Sequence, residues 1–230
     1  MKKLLLLSNS TNYGEQYMQW CGSIIASFVL GHHGNILFVP YAAVGFSYDA
    51  YTQKVNEALE DYNLTVTNLD NLADKAAAIS EASAIFVGGG NTFHLLKILQ
   101  DLDLVDILQQ KVEEGTPYVG WSAGSNITSP TICTTNDMPI VQPKSFDALK
   151  LVDFQINPHY TERVIENHGG ESRKTRLTEY LAANEKDQVV CLPEATYLSV
   201  SDGKITYRGN SNAVLLTNNN EKEISEGDTF

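Results

Sequence analysis

The stretch Pro117-Tyr118-Val119-Gly120-Trp121-Ser122-Ala123-Gly124 carries the strongest fold signal in the chain. A short apolar run enters a Gly-x-Ser-x-Gly turn, and a helix-compatible segment follows. That succession matches a nucleophile elbow, in which a serine sits on a sharp turn between a strand and a helix. The backbone at such a serine is strained, and small residues two positions to either side prevent clashes. The Ser122 hydroxyl then stands exposed at the edge of a sheet. It becomes an acyl-transfer nucleophile only if a histidine lies within reach.

Outward from the elbow, strands and helices alternate. Apolar runs at 4–7, 35–39, 64–67 and 84–87 read as strands, and helical spacing covers 15–30, 48–62, 70–82, 93–99 and 105–114. This alternation predicts βαβ units and an α/β fold with a mostly parallel sheet and helices on both faces. After the elbow the pattern loosens. Residues 131–142 are polar and turn-rich, 152–156 and 188–192 read as strands, and 172–183 reads as a helix. Alternation between 197 and 216 around Asp202-Gly203 and Gly209-Asn210 predicts antiparallel hairpins. No linker, repeat or low-complexity segment interrupts the chain, so residues 1–230 are expected to form one α/β domain. Loops following parallel strands share one edge, where the sites of open α/β sheets lie.

Composition narrows the function. The chain has 230 residues, 43% of them hydrophobic and 19% charged, as in ordinary globular proteins. A net charge of −12 argues against a nucleic-acid partner, which needs clustered Lys and Arg. Cys21, Cys133 and Cys191 are odd in number and far apart, so neither a disulfide framework nor a zinc site is expected. The leucine run 4–7 is too short for a signal peptide, and no stretch is long enough to span a membrane. The expectation is a soluble, cytoplasmic enzyme or binding protein, monomeric or homodimeric.

The five histidines are candidate bases for Ser122. His32 and His33 close the first helix, where the dipole favours a cation on the surface. His94 follows the glycine run and points either into packing or toward the site. His168, before Gly169-Gly170, reads as a loop residue. His159 directly follows a strand and has the best position. A carboxylate must hold its tautomer. Glu194 follows the next strand, while Asp137 lies in the loop after the serine helix and would restore the Ser-acid-His order of α/β-hydrolases. Against Asp137, the short stretch from Ser122 to His159 leaves little room for intervening strands. Oxyanion donors are expected from the N–H of Ala123 and from Gly88-Gly89-Gly90, with Gly89 and Gly90 best placed, since glycine lets the backbone approach a ligand. All of these groups should gather above one rim of a single sheet.

These motifs resemble those of the peptidase E family, the α-aspartyl dipeptidases. The resemblance covers most of the chain and is densest from 85 to 194. It is carried by Gly88-Gly89-Gly90-Asn91-Thr92, Gly120-Trp121-Ser122-Ala123-Gly124-Ser125-Asn126 and Thr134-Thr135-Asn136-Asp137-Met138-Pro139. Asn157-Pro158-His159-Tyr160, His168-Gly169-Gly170-Glu171-Ser172-Arg173 and Leu192-Pro193-Glu194 extend it. The resemblance implies a fold like the class I glutamine amidotransferases (flavodoxin-like), with serine replacing their cysteine, and no metal or organic cofactor. It implies a small peptide substrate, Asp-X, cleaved by nucleophile Ser122, base His159 and orienting acid Glu194, with Asp137 as a further acidic site residue. Arg173 would hold the substrate's aspartate, a role suited to a bidentate guanidinium. Its bland alternative is a helix-surface cation beside Lys174 and Arg176. Cys133 departs from the family's arginine, which bears on affinity or selectivity. Ser125 stands where alanine is common, a change of little expected effect. Two other functions share this fold: a cyanophycin-degrading peptidase, and a non-catalytic binding module.

Overall fold

The computed structural model describes residues 1–32, 34–163, 169–201 and 203–230. Five parallel strands form its centre: β1 (Leu4–Leu7), β2 (Ile36–Val39), β3 (Val66–Asn68), β4 (Ala84–Val87) and β5 (Tyr118–Trp121). They join β8 (Thr196–Ser201) and β9 (Lys204–Gly209) in the order β3-β2-β4-β5-β1-β8-β9, with the last two pairings antiparallel. Successive side chains of a strand face opposite sides. Leu4 and Leu6 therefore enter one core, with α3 (Lys75–Glu81), α4 (Thr92–Asp101) and α5 (Val105–Glu113). Leu5 and Leu7 enter the other, with α1 (Gly22–Phe28) and α2 (Tyr48–Leu59). Every residue of β1, β2, β4 and β5 is buried, as continuous apolar strands covered on both faces require.

The boundaries move where local chemistry overrides periodicity. The first helix is confined to Gly22–Phe28, because Met18 adopts a left-handed φ of 58° and turns precede it. The alanine-rich helix begins only at Lys75, where the Asp74 side chain accepts from Ala77 N–H.

The expectation of a single sheet is corrected. Strands β6 (Gln155–Asn157), β7 (Gln188–Cys191), β10 (Ala213–Thr217) and β11 (Asn220–Ile224) form a second sheet, ordered β11-β10-β7-β6. The physical reason is occupancy: β1 already has β5 on one side and β8 on the other, so β6 and β7 pair with each other instead. Helix α7 (Arg173–Ala183) covers this sheet, its Leu177 and Leu181 packing on Val189, Cys191 and Leu216. Gly209-Asn210 does not make a hairpin either. The strand ending at Gly209 stays in the first sheet and the next belongs to the second. Gly209 has φ of +151°, and a Cβ there would lie 2.5 Å from Thr196 Cγ2. The β8–β9 and β10–β11 pairs are the antiparallel hairpins.

Phe86 is fully buried on β4. Phe86→Ala is expected to cost about 3–5 kcal/mol, seen as a lower urea midpoint at unchanged slope.

Candidate active site

Ser122 closes β5 and caps α6 (Ala123–Asn126) with φ 53° and ψ −112°. Such backbone costs roughly 1–3 kcal/mol and persists only where the surroundings over-determine it. Here they do. A Cβ on Gly120 would lie 2.2 Å from Gly124 O, and one on Gly124 would lie 2.1 Å from Val87 O, so the turn closes only with glycine at both positions. The Tyr118 hydroxyl donates to Gly124 O at 2.6 Å. The fully buried Ser125 hydroxyl lies 2.7 Å from Leu7 O and 2.9 Å from Gly120 O, so this serine braces the elbow rather than standing in idly for alanine.

His159 follows β6 and Glu194 follows β7, both from the second sheet. His159 Nε2 lies 3.0 Å from Ser122 Oγ, and its Nδ1 lies 3.1 Å from Glu194 Oε1. The Glu194 side chain is 55% exposed, so water screens the pair, and its effect is to orient rather than to stabilise the fold.

Asp137 does not reach His159. Its Oδ2 accepts from Thr92 N–H (2.7 Å), Thr92 Oγ1 (2.6 Å) and Thr135 Oγ1 (3.0 Å). The start of α4 offers unpaired N–H groups and a positive dipole end, and the carboxylate is spent there. His94 lies on the same helix, its Nδ1 2.6 Å from Tyr41 O, a packing contact away from Ser122. His33 and His168 lie outside the described residues.

The glycine loop abuts the nucleophile. A Cβ on Gly89 would lie 3.0 Å from Ser122 Cβ, and one on Gly90 would lie 2.2 Å from Ala42 O. Among the described residues, the N–H groups of Gly89, Gly90 and Ala123 make no hydrogen bond.

Arg173 is half-buried at the start of α7. Its Nη1 donates to His159 O, and Pro158 O lies 3.5 Å away. Burial, and then Arg176 nearby, hold its pKa below the ordinary arginine value. Lys174 turns away to Glu221 at 2.5 Å, so the cationic run divides between a surface ion pair and the site. Arg163, Arg173 and Arg176 line a cavity of about 760 Å³ together with Asp137, Asn157 and the exposed Cys133. Ser122 and His159 do not line it. His159 adjoins it through the Arg173 bond to its carbonyl, and Ser122 follows through His159 Nε2.

Pattern reading missed the group that joins these parts. Three consecutive residues after and within β1 each accept from the backbone N–H of a left-handed residue of the site. Leu7 O accepts from Ser122 N (3.1 Å), Ser8 Oγ from His159 N (2.8 Å) and Asn9 Oδ1 from Ala195 N (2.9 Å). The three donors have φ of 53°, 53° and 61°. Ser8 Oγ also donates to Leu192 O at 2.8 Å, and Ser8 and Asn9 are buried. The only sequence signal was a polar Ser-Asn pair directly after a buried strand.

The model of the family described as Peptidase family S51 matches residues 4–208. The chain belongs to peptidase family S51. Peptidase E of Nostoc sp. is 46% identical over 222 residues, covering 96% of this chain and 92% of that one. Peptidase E of Salmonella typhimurium is 44% identical over 207 residues, 90% of each. Among solved structures, a candidate peptidase E from Listeria monocytogenes EGD-e matches with TM-score 0.68 at 24% identity, covering 92% of this chain and all of that one. A peptidase from an acI-B1 Actinobacterium matches with TM-score 0.70 at 17% identity, covering 100% and 96%. At such identities the two structures speak for the fold alone. As a member of family S51 the protein is a peptidase. No helix of the described residues is long and apolar enough to cross a membrane.

Ser8→Ala leaves the His159 N–H without its acceptor. The expected loss is about 1–3 kcal/mol of unfolding free energy, with Ser8→Thr recovering part of it in the same denaturation experiment.

Proposed function

We propose that this peptidase is a cytoplasmic serine exopeptidase that hydrolyses dipeptides with an N-terminal aspartate. One observation carries the proposal: Ser122 Oγ, His159 Nε2, His159 Nδ1 and Glu194 Oε1 form an unbroken chain of contacts of 3.0 and 3.1 Å. With the Nδ1 proton held by Glu194, Nε2 is left to accept the serine's proton.

Ser122 Oγ attacks the carbonyl carbon of the aspartyl residue as its proton passes to His159 Nε2. The amides of Gly89 or Gly90 and of Ala123 receive the charge that develops on the carbonyl oxygen. The C–N bond then breaks, and His159 returns the proton to the leaving amine. Water, deprotonated by the same imidazole, hydrolyses the ester, releasing aspartate and restoring the Ser122 hydroxyl. Arg173 grips the aspartate side chain. One of its terminal nitrogens is engaged with His159 O, which fixes the guanidinium and leaves Nη2 and Nε for a carboxylate. Asp137 holds the wall of the site against α4 instead of orienting the base. The cavity sets three arginines against the carboxylates of Asp137 and Glu171, and this cationic excess favours an acidic side chain over the arginyl groups of cyanophycin.

Asp-Leu should be hydrolysed much faster than Leu-Leu or Glu-Leu in an amine-release assay. Equal rates on all three would reject the selectivity assigned to Arg173. Ser122→Ala should lower turnover by on the order of 10⁴ or more, and near-normal activity in that variant would remove Ser122 as nucleophile.

A further inference from the structure

The loop that faces Ser122 contains a Gly-Gly peptide, the softest kind of unit a backbone can offer. Neither residue has a Cβ to restrict rotation about the flanking bonds. Gly90 sits at φ of +143°, a region open only to glycine. An oxyanion donor works by being aimed before the reaction begins. A peptide this free needs something outside itself to fix its direction.

The structure supplies it in Tyr51, on α2, in the core beneath the loop. Its hydroxyl donates to Gly89 O at 3.0 Å. The Tyr51 hydroxyl oxygen in turn accepts from Trp121 Nε1–H at 3.0 Å. Tyr51 and Trp121 are 4% and 1% exposed. Both rings are held by Phe38, which lies edge-on to Tyr51 at 5.0 Å and stacked with Trp121 at 5.8 Å. The Tyr51 ring also fills the space where a Cβ on Gly88 would fall, 2.7 Å from its Cε1. Trp121 immediately precedes Ser122, so one relay ties the nucleophile's strand to the glycine loop.

The carbonyl of Gly89 and the N–H of Gly90 belong to the same peptide plane. The plane is trans, so the two groups point in opposite directions. A hydroxyl that draws the Gly89 carbonyl down into the core therefore turns the Gly90 N–H up and away from it. That N–H makes no hydrogen bond among the described residues, and its loop lies against Ser122. We infer that Tyr51, supported by Trp121, is a positioning residue that fixes the Gly90 N–H as an oxyanion donor. Rotation of this peptide would present a carbonyl oxygen to the developing negative charge. The inference rests on the serine-peptidase reading of the site and adds to it the group that pre-aims the loop.

Tyr51→Phe keeps the ring and removes the hydroxyl. With Asp-Leu as substrate, kcat should fall about tenfold or more while KM stays within twofold, because the lost interaction acts on the transition state. A crystal structure of the variant should show the Gly89–Gly90 peptide turned from its wild-type plane. Unchanged kcat overturns the inference, and so does a loss of kcat with the peptide unmoved. If Tyr51→Phe does not fold, Trp121→Phe, which removes the shorter of the two bonds donated to the Tyr51 hydroxyl (Tyr17 Oη lies 3.5 Å away), is measured by the same two readouts and judged by the same criteria. Failure of the wild-type enzyme to hydrolyse Asp-Leu counts instead against the proposed function, and the peptide's orientation in the variant still decides the relay.

Discussion

The site depends on the end of one strand. Leu7, Ser8 and Asn9 accept hydrogen bonds from Ser122, His159 and Ala195, three residues that each adopt a backbone conformation unfavourable to a side chain. Strain of this kind relaxes unless something holds it, at roughly 1–3 kcal/mol per residue. The holding groups are consecutive, and β1 is clamped by β5 and β8 with all four of its leucines buried. A rigid ruler of three residues thus sets the spacing of three loops that approach from different directions.

This constraint explains why two sheets serve one site. The elbow serine comes from the parallel sheet, where α6 and the glycine pair at 120 and 124 set its height. The imidazole and carboxylate come from the ends of β6 and β7, which pair in parallel and so bring His159 and Glu194 out on the same side. Joining the sheets through loops alone would leave the contacts at Ser122 loose. The Ser8 hydroxyl instead bonds both His159 N and Leu192 O, the backbones on either side of the second sheet's edge. Arg173 adds a bond to His159 O from α7. The imidazole is thereby fixed through its backbone N–H and C=O as well as through its ring.

Charge is distributed with the same logic. The chain is strongly acidic, yet the cavity beside the proposed nucleophile is lined by Arg163, Arg173 and Arg176. Lys174, between two of them in sequence, faces Glu221 on the outside. Helical geometry separates neighbours in sequence onto different faces, so a cationic run can serve both solvent and site. Net charge says nothing about such a pocket, because over short distances the field is set by the groups that line it, here three guanidiniums against the carboxylates of Asp137 and Glu171.

Chemistry that is local in the chain was legible from the sequence. Gly120, Ser122 and Gly124 announce the elbow because the turn's steric demands fall within five residues. Continuous apolar runs announce strands buried on both faces, and His159 and Glu194 could be picked out because each directly follows a strand. The tertiary structure decided whatever depends on partners far along the chain. Periodicity does not state which edge a strand will find occupied, so the second sheet and the crossing after Gly209 were invisible. Asp137 stayed a rival to Glu194 until packing placed one on α4 and the other on His159. Ser8, Asn9 and Tyr51 looked like any polar loop residue or helix aromatic. Their meaning lies in hydrogen bonds to backbone groups that folding alone brings near, as with Ser8 and Leu192, 184 positions apart.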